Sequence, residues 1–330
     1  MTERKQYLDT VKGIGIILVI LGHTYGIPDY IYSLIYSFHM PLFFIVSGMV
    51  YNEKSNSELS LKKFIKNKAK SYLIPYFFYA GLNLILELLM SYFLYHETIT
   101  VYSIVEYIKG ILYCYADIQH MPNCSPLWFL ICLFISSIIF RCVIKYLSKY
   151  FIIVAAVFCI ISYLLSIFVE IRLPWNLSTS FMAVAFMLLG FILKTFEKKI
   201  IILICLFIPG IGAALFNGAN VGMNENTYGN LLLFLLAAIS ISYFVIYLCK
   251  RFDMCKPGFL SWLGRNTLPV IGLNYFLRDF TTEIYYFIPV VNQYKIHWTI
   301  SFVMTLVSCV CLILIKNYIK TKIHNLRLKT

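Results

Sequence analysis

The sequence predicts an all-α protein, a polytopic bundle of about ten membrane-spanning helices with both termini in the cytoplasm. Three observations predict this class. Hydrophobic types make up 60% of the 330 residues and charged types only 13%, whereas soluble domains carry about 25% charged residues. Apolar stretches near the ~20 residues needed to cross a bilayer recur along the whole chain. The basic residues fall mainly between alternate pairs of these stretches, as in cytoplasmic loops.

Ten apolar stretches are the candidate spans, and we expect them to form a single transmembrane domain over residues 1–330. The first is short and interrupted by polar residues, which indicates a helix buried in the bundle. Arg4 and Lys5 precede it as in a signal peptide, but no small-residue cleavage site follows, so we expect a retained span. The predicted spans cover residues 10–25, 34–51, 72–95, 126–146, 150–169, 176–196, 199–217, 229–249, 259–279 and 297–317.

An N-terminus inside the cell gives a consistent charge distribution across these spans. Of the 28 Lys and Arg residues, only Lys109, Arg172, Arg278 and Lys295 then lie on the outer side. Because membrane orientation accounts for the net charge of +13, we expect no nucleic-acid partner. No internal repeat is visible, which counts against a transporter built from inverted halves.

Ten cysteines occur in the chain, most of them in or beside apolar segments, where they are typical small core residues. Cys114 and Cys124 share one polar loop, and the sequence leaves open whether they form a disulfide. No Cys or His spacing matches a metal site, so we expect neither a metal nor a bound cofactor.

Residues 52–71 form a basic segment before the third span. Most of its lysines lie in the sequence LKKFIKNKAKSYLIPY, which starts at Leu61 and runs into that span. One interpretation is an amphipathic helix that lies on anionic lipid. The other is a binding site for an anionic cytosolic ligand, in which Lys66, Lys68 and Lys70 contact phosphate groups. The sequence alone does not decide between them.

Lys12 and His23 are ionisable residues of the first span, and such residues mark functional sites because charge is costly in hydrocarbon. Their spacing places both on one helix face, roughly 16 Å apart along the axis. Lys12 is therefore expected near the cytoplasmic boundary and His23 near the outer one. Gly13, Gly15 and Gly22 allow another helix or a ligand to approach this face closely.

His39 opens the predicted second span, also toward the outer side, so it could face His23 across the intervening loop. A neutral imidazole can take a proton from an alcohol near neutral pH. The alternative for each histidine alone is a hydrogen-bonded interfacial residue. Two histidines at one depth, with a lysine on the same face as one of them, favour a catalytic site.

Ser125 and Trp128 begin the fourth predicted span, at about the depth expected for the histidines. Trp128 is either an interfacial tryptophan or a platform for a sugar ring, and Ser125 beside it is a candidate acceptor contact. Glu87 is a carboxylate inside the third span. It either pairs with a polar neighbour for structural reasons or orients a catalytic group.

Arg265 and Asn266 cluster near the cytoplasmic start of the ninth predicted span, and Asn274 lies deeper in it. Pro269 and Gly272 loosen the helix between them. The cluster is either an ordinary helix start with a capping residue or a set of ligand contacts. Both interpretations stay open at this point.

Five motifs follow one another along the chain: LDTVKGIGIILVILGH, FHMPLFFIVSG, a basic run ending in LIPY, SPLWFL and LGRNTL. Together they resemble the acyltransferase 3 family of bacterial membrane O-acetyltransferases, particularly fucose 4-O-acetylase-like members. The resemblance covers the whole chain. In that family ten residues separate a basic residue from a histidine in the first span, here Lys12 and His23. Lysine replaces the commoner arginine, keeping the charge but losing the planar fork, and Asn274 stands where many relatives have a histidine.

The resemblance implies an enzyme that transfers an acetyl or other short acyl group from acyl-coenzyme A, a co-substrate, to a hydroxyl. The acceptor would be a cell-surface glycan such as a polysaccharide, or a lipid-linked sugar, and the location the plasma membrane of a bacterial cell. We expect His23 to act as general base, with His39 beside it. Lys12, held by Asp9, would bind the donor or stabilise developing charge.

Two other functions compete with O-acylation. A glycan or lipid transporter or flippase would also need many spans and buried polar groups, but it needs no paired Lys12 and His23. A non-catalytic assembly protein of the membrane would tolerate replacement of His23 and His39. The sequence leaves open the acceptor, the side of the membrane on which it is modified, and the oligomeric state.

Overall fold

The computed structural model describes residues 6–94, 96, 100–115, 120–121, 123–169, 171–194, 200–252, 258–289 and 294–327. Over these residues the chain is an α-helical bundle with one two-stranded hairpin. Its elements are α1 (Gln6–Gly22), α2 (Asp29–Met49), α3 (Glu53–Ser57), α4 (Leu61–Phe93), α5 (Val101–Tyr113), α6 (Trp128–Tyr146), α7 (Phe151–Phe168), α8 (Leu177–Leu193), α9 (Ile200–Asn217), β1 (Val221–Gly222), β2 (Thr227–Tyr228), α10 (Leu231–Arg251), α11 (Phe259–Arg265), α12 (Thr267–Phe287) and α13 (Trp298–Arg327).

In the part of the chain that is described, seven helical segments are long and apolar enough to cross a bilayer. The chain is therefore a polytopic helical membrane protein, as the composition predicts. Each of these segments coincides with one of the ten predicted spans. They are Asp29–Met49, Leu61–Phe93, Ser125–Tyr146, Ser148–Phe168, Pro174–Leu193, Leu231–Arg251 and Trp298–Leu326.

The other three predicted spans correspond to α1, α9 and α12, which are also helical. Helix α1 has 17 residues, so it measures about 25 Å against a hydrocarbon thickness of about 30 Å. Helix α9 has 18 residues, and the part of it whose side chains are described, Cys205–Asn217, is a shorter apolar helix. Helix α12 carries Arg278, Asp279 and Glu283 in its second half, which lowers its mean hydropathy.

The ends of two helices differ from the prediction in ways that matter for the site. Helix α2 begins at Asp29, five residues before the predicted start at 34. The residues DYIYS are too polar for a hydropathy pattern, yet Asp29 follows Pro28 and favours the first turn through the helix dipole. Helix α4 runs unbroken for 33 residues from Leu61, about 50 Å. The basic residues that follow Leu61 are thus the first turns of a span rather than a separate surface helix.

The predicted ninth span, 259–279, starts where a helix starts, but the chain breaks at Asn266 and the second helix continues past the predicted end. Helix α11 ends at Arg265, and α12 starts at Thr267 and continues to Phe287. The Asn266 side chain donates from Nδ2 to the carbonyl of Trp262 at 2.9 Å. Pro269 lies in the first turn of α12, where a missing N–H is tolerated.

Glycines set the closest helix contacts around the site. A Cβ on Gly48 of α2 would lie 1.9 Å from the Met187 carbonyl oxygen of α8. A Cβ on Gly190 of α8 would lie 2.0 Å from the Ile45 carbonyl oxygen of α2. The two backbones therefore touch at two points, as small residues permit between membrane helices.

Helices α1 and α11 meet in the same manner. A Cβ on Gly13 would lie 2.0 Å from the carbonyl oxygen of Leu260, and one on Gly264 would lie 1.8 Å from that of Asp9. Short α11 is thereby fixed against the first half of α1. The predicted close approach at Gly13 is confirmed, and the partner is a helix backbone.

Candidate active site

A cavity of about 570 Å³ lies where α1, α2, the start of α6, α12 and the hairpin meet. The hairpin pairs Val221 with Tyr228 and Gly222 with Thr227. Asn220 and Glu225 lie exposed on its cavity side, whereas His39 is 3% exposed. The cavity thus runs inward from the hairpin surface to the histidine. We call this end of the bundle the hairpin end.

His23 follows directly after α1 and lines the cavity. The hydroxyl of Tyr36 lies 2.9 Å from its Nδ1 and the hydroxyl of Tyr275 lies 3.1 Å from the same atom. Tyr36 belongs to α2 and Tyr275 to α12, so two helices orient one imidazole. If Nδ1 carries the proton and donates to a tyrosine oxygen, Nε2 is left as the proton acceptor.

Arg278 fixes the backbone of His23. Its Nη1 donates to the His23 carbonyl oxygen at 3.0 Å, and its Nε donates to Asp279 at 2.7 Å. The guanidinium carbon lies 4.1 Å from the ring centre of Tyr25 and 4.3 Å from that of Tyr275. The cation is thus stacked between two rings, and Tyr25 also donates to Asp279 at 2.8 Å.

His39 lies ten residues into α2 and not at the start of the span, where the sequence prediction placed it. Its Nδ1 is 2.7 Å from the carbonyl oxygen of Ile35. A carbonyl has no proton to give, so Nδ1 must donate, and in the neutral ring Nε2 is then a proton acceptor. The Tyr36 ring packs edge-on against both histidines, 5.0 Å from His39 and 5.9 Å from His23 between ring centres.

Ser125 and Trp128 line the same cavity, at the short helical turn that leads into α6. Trp128 is 5% exposed, so its indole belongs to the cavity wall and not to the outer rim of the bundle. Four of the predicted site residues, His23, His39, Ser125 and Trp128, are therefore brought together around one space.

Two imidazoles beside a surface-connected, partly polar cavity in a membrane bundle suit proton transfer to or from a hydroxyl. The acyltransferase 3 family model, described as an acyltransferase domain, matches residues 5–314. The chain belongs to this family. It is therefore a transferase enzyme that needs an acyl donor and an acceptor. No curated protein and no solved structure matches the chain.

Lys12 of the acyltransferase does not line the cavity. Its Nζ lies 3.4 Å from Oδ1 of Asp9, the local ion pair that their spacing predicts. Gly264 of α11 packs on Asp9, so the neighbouring Arg265 lies at the same end of the bundle as Lys12. This end is opposite to the hairpin end, because α1 carries Lys12 near its start and is followed by His23.

The other predicted donor contacts also lie away from the cavity. Arg265 is exposed, and Asn266 caps the end of α11. On α4, Lys66 and Lys70 are exposed, while the ammonium of Lys68 lies 5.4 Å from the ring centres of both Phe64 and Tyr72. These residues form a basic surface, but the geometry alone does not assign them a ligand.

The predicted supporting residues Glu87 and Asn274 lie outside the cavity lining. Glu87 accepts a hydrogen bond from the Asn123 amide, as expected for pairing with a polar neighbour. Asn274 is 2% exposed, and neither polar atom of its amide has a hydrogen-bond partner in the described structure. Cys114 and Cys124 are free thiols, each buried. No group of three His, Cys, Asp or Glu among the described residues could hold a metal ion.

Sequence reasoning missed the tyrosines, Arg278 and the hairpin. Tyr36 lies three residues before His39, a spacing that places both on one helix face and could have been noticed. The polar run GANVGMNENT between two apolar helices was also visible as a feature. Nothing local indicated that this run folds over the cavity, because its neighbours come from distant parts of the chain.

Proposed function

We propose that this protein is a membrane O-acyltransferase that moves an acetyl or other short acyl group from acyl-coenzyme A to a sugar hydroxyl. The acceptor belongs to a cell-surface glycan or a lipid-linked sugar. One observation carries the proposal: His23 and His39 line a cavity that reaches the surface at a polar hairpin. A polar mouth suits a hydrated carbohydrate, and the imidazoles at its base suit deprotonation of an alcohol.

His23 acts as general base in this scheme. With its Nδ1 proton donated to Tyr36 or Tyr275, Nε2 takes the proton of the acceptor hydroxyl. The oxygen attacks the thioester carbonyl, the carbon–sulfur bond breaks, and the coenzyme A thiolate leaves and recovers the proton from His23. His39, with its Nε2 unprotonated, supplies a hydrogen-bond acceptor for a neighbouring hydroxyl of the bound sugar.

The donor approaches from the opposite end. Lys12, Arg265 and Asn266 lie at that end with the basic first turns of α4, which include Lys66, Lys68 and Lys70. Cations of this kind suit the phosphates of coenzyme A, whose long pantetheine arm can carry the thioester inward. We propose that this end is cytoplasmic, that both termini lie there, and that α1, α9 and α12 complete a single domain of ten spans in a bacterial plasma membrane.

The test is acyl transfer by the purified full-length protein. Release of coenzyme A thiol from acetyl-coenzyme A is followed in the presence of membrane glycan extract, and O-acetyl groups on the glycan are read by NMR. We expect His23→Ala to lose at least about 100-fold in rate, since general base catalysis contributes about 10²–10⁴-fold. His297→Ala is the matched control, because His297 is an exposed histidine outside the cavity lining. Equal loss in both variants, or none in His23→Ala, would refute the role of His23.

A further inference from the structure

The polar segment of residues 219–227 forms one wall of the cavity, and we call it the hairpin wall. Its residues Asn220, Asn224, Glu225 and Thr227 all contribute to the lining. The wall thus offers the Asn220 amide, the Glu225 carboxylate and the Thr227 hydroxyl to whatever enters from the surface, whereas the Asn224 amide oxygen is bound from behind by Arg172. These are the groups that bind sugar hydroxyls, since together they both donate and accept hydrogen bonds.

Hydrogen bonds from behind hold this wall in place. Thr179 of α8 donates from its hydroxyl to the Met223 carbonyl oxygen at 2.8 Å. Asn226 donates to the Ser162 carbonyl oxygen at 3.2 Å and accepts from the Ser162 hydroxyl at 3.1 Å. All three contacts reach helices outside the cavity. The wall is therefore preorganised, which lowers the entropic cost of binding a ligand.

The guanidinium of Arg172, the cation near the wall, also bonds to it from behind and not from within the cavity. Arg172 donates from Nη2 to Oδ1 of Asn224 at 2.8 Å and does not line the cavity. Asn217 anchors the other end of the hairpin by donating to the Tyr228 carbonyl oxygen at 2.9 Å. Among the described residues, none of the hydrogen bonds that hold the wall uses the Glu225 carboxylate, which is exposed at the mouth.

The mouth of the cavity carries negative charge only. Among the described residues that line the cavity, Glu225 is the one carboxylate and no Lys or Arg is present. An acceptor ring with its own carboxylate or phosphate would meet a like charge there. At an exposed position a like charge about 4 Å away disfavours binding by about fivefold.

We propose that the hairpin wall binds the acceptor and selects an uncharged, hydroxyl-rich sugar ring over an acidic one, with Glu225 as the discriminating residue. This inference rests on the proposed function, because it names the substrate class of the same cavity. Glu225 and the Asn220 amide bind ring hydroxyls, and Trp128, which lines the same cavity, covers an apolar face of the ring.

Matched pairs of simple sugars test this selection. Methyl glucoside is paired with methyl glucuronide, and methyl galactoside with methyl galacturonide, so each pair differs only at C6, which is a hydroxymethyl group in one sugar and a carboxylate in the other. Transfer of radiolabelled acetyl from acetyl-coenzyme A to each sugar is measured with the purified full-length protein, Glu225→Gln, and Glu106→Gln as control. Glu106 is an acidic residue of α5 that pairs with Lys109 and lies outside the cavity lining. The ratio of kcat/KM within a pair cancels differences in protein amount and donor binding.

We expect the wild type and Glu106→Gln to prefer the neutral member by about fivefold or more, and Glu225→Gln to bring the ratio close to one. The wild-type preference should also shrink at 1 M salt, where exposed charges are screened. A wild-type preference for acidic sugars, or a ratio unchanged in Glu225→Gln, overturns the inference. So does His23-dependent turnover of acetyl-coenzyme A with no sugar of the panel acylated. Turnover that does not depend on His23 instead refutes the proposed function itself.

Discussion

Replacement of Arg278 by alanine removes the clamp that holds the His23 backbone. The guanidinium joins three parts of the molecule: it donates to the His23 carbonyl oxygen, pairs with Asp279 and stacks between Tyr25 and Tyr275. Arg278 does not line the cavity, so it positions the proposed base and does not touch the reacting atoms.

The size of the effect follows from these contacts. A hydrogen bond from a charged donor is worth about 1.5–3 kcal/mol, and each ring stack about 0.5–2 kcal/mol. If about 2 kcal/mol of this restraint is lost at the transition state, kcat falls about 30-fold, since 1.36 kcal/mol corresponds to tenfold. Arg278→Lys should recover part of the loss, because lysine keeps the charge but cannot both stack between the rings and bridge two acceptors.

The assay is thiol release from acetyl-coenzyme A by protein purified in detergent, with kcat and the donor KM determined separately. Arg251→Ala is the matched control, because Arg251 is an exposed arginine at the end of α10. We expect Arg278→Ala to lose kcat while the donor KM stays within about twofold, since the proposed donor contacts lie at the other end of the bundle. A kcat equal to that of the control, or a change confined to the donor KM, would refute the positioning role.

Two further predictions follow from the same structure. His39→Asn keeps an amide donor near the Ile35 carbonyl oxygen but removes Nε2, so the protein should fold normally in size-exclusion chromatography. Its kcat should fall about 2- to 12-fold, because one hydrogen bond is worth about 0.5–1.5 kcal/mol; wild-type kcat would contradict the role of His39. Gly190→Ala places a Cβ 2.0 Å from the Ile45 carbonyl oxygen and should destabilise the protein by about 1–3 kcal/mol. Its control, Gly81→Ala on α4, has no atom within 4 Å of the added Cβ and should stabilise by up to about 1 kcal/mol; equal Tm values for the two variants in detergent would contradict the close α2–α8 contact.

The sequence predicted most of the helices because hydrocarbon imposes a length and composition that a pattern can read. It failed where the local signal was mixed. Asp29 and the tyrosines after it looked like a loop, so the predicted depth of His39 in α2 was wrong. Asn266 was recognised as a possible helix start, but the apolar residues before it were counted in the same span, so the break was missed. It also placed His23, His39, Ser125 and Trp128 together correctly, because His23, Ser125 and Trp128 lie near the same end of their spans and the cavity reaches inward from there to His39.

The remaining part of the site depends on contacts between residues far apart in the chain. Arg278 lies 255 positions from His23, whose carbonyl it holds. The two strands of the hairpin have two residues each, too few for an alternating pattern. Its position over the cavity is set by Thr179 and Ser162, which belong to other helices. Such tertiary pairings leave no periodic trace in a single sequence.

The paired glycine contacts between α2 and α8 have a mechanical consequence. With two backbone-to-backbone contact points, at Gly48 and at Gly190, neither helix can rotate or slide without a steric collision. Helix α2 therefore holds the imidazole of His39 in the same position and orientation before and after each turnover. Any opening that admits or releases a bulky acceptor must come from the other elements around the cavity, where side-chain hydrogen bonds that can break and re-form take the place of close backbone contacts.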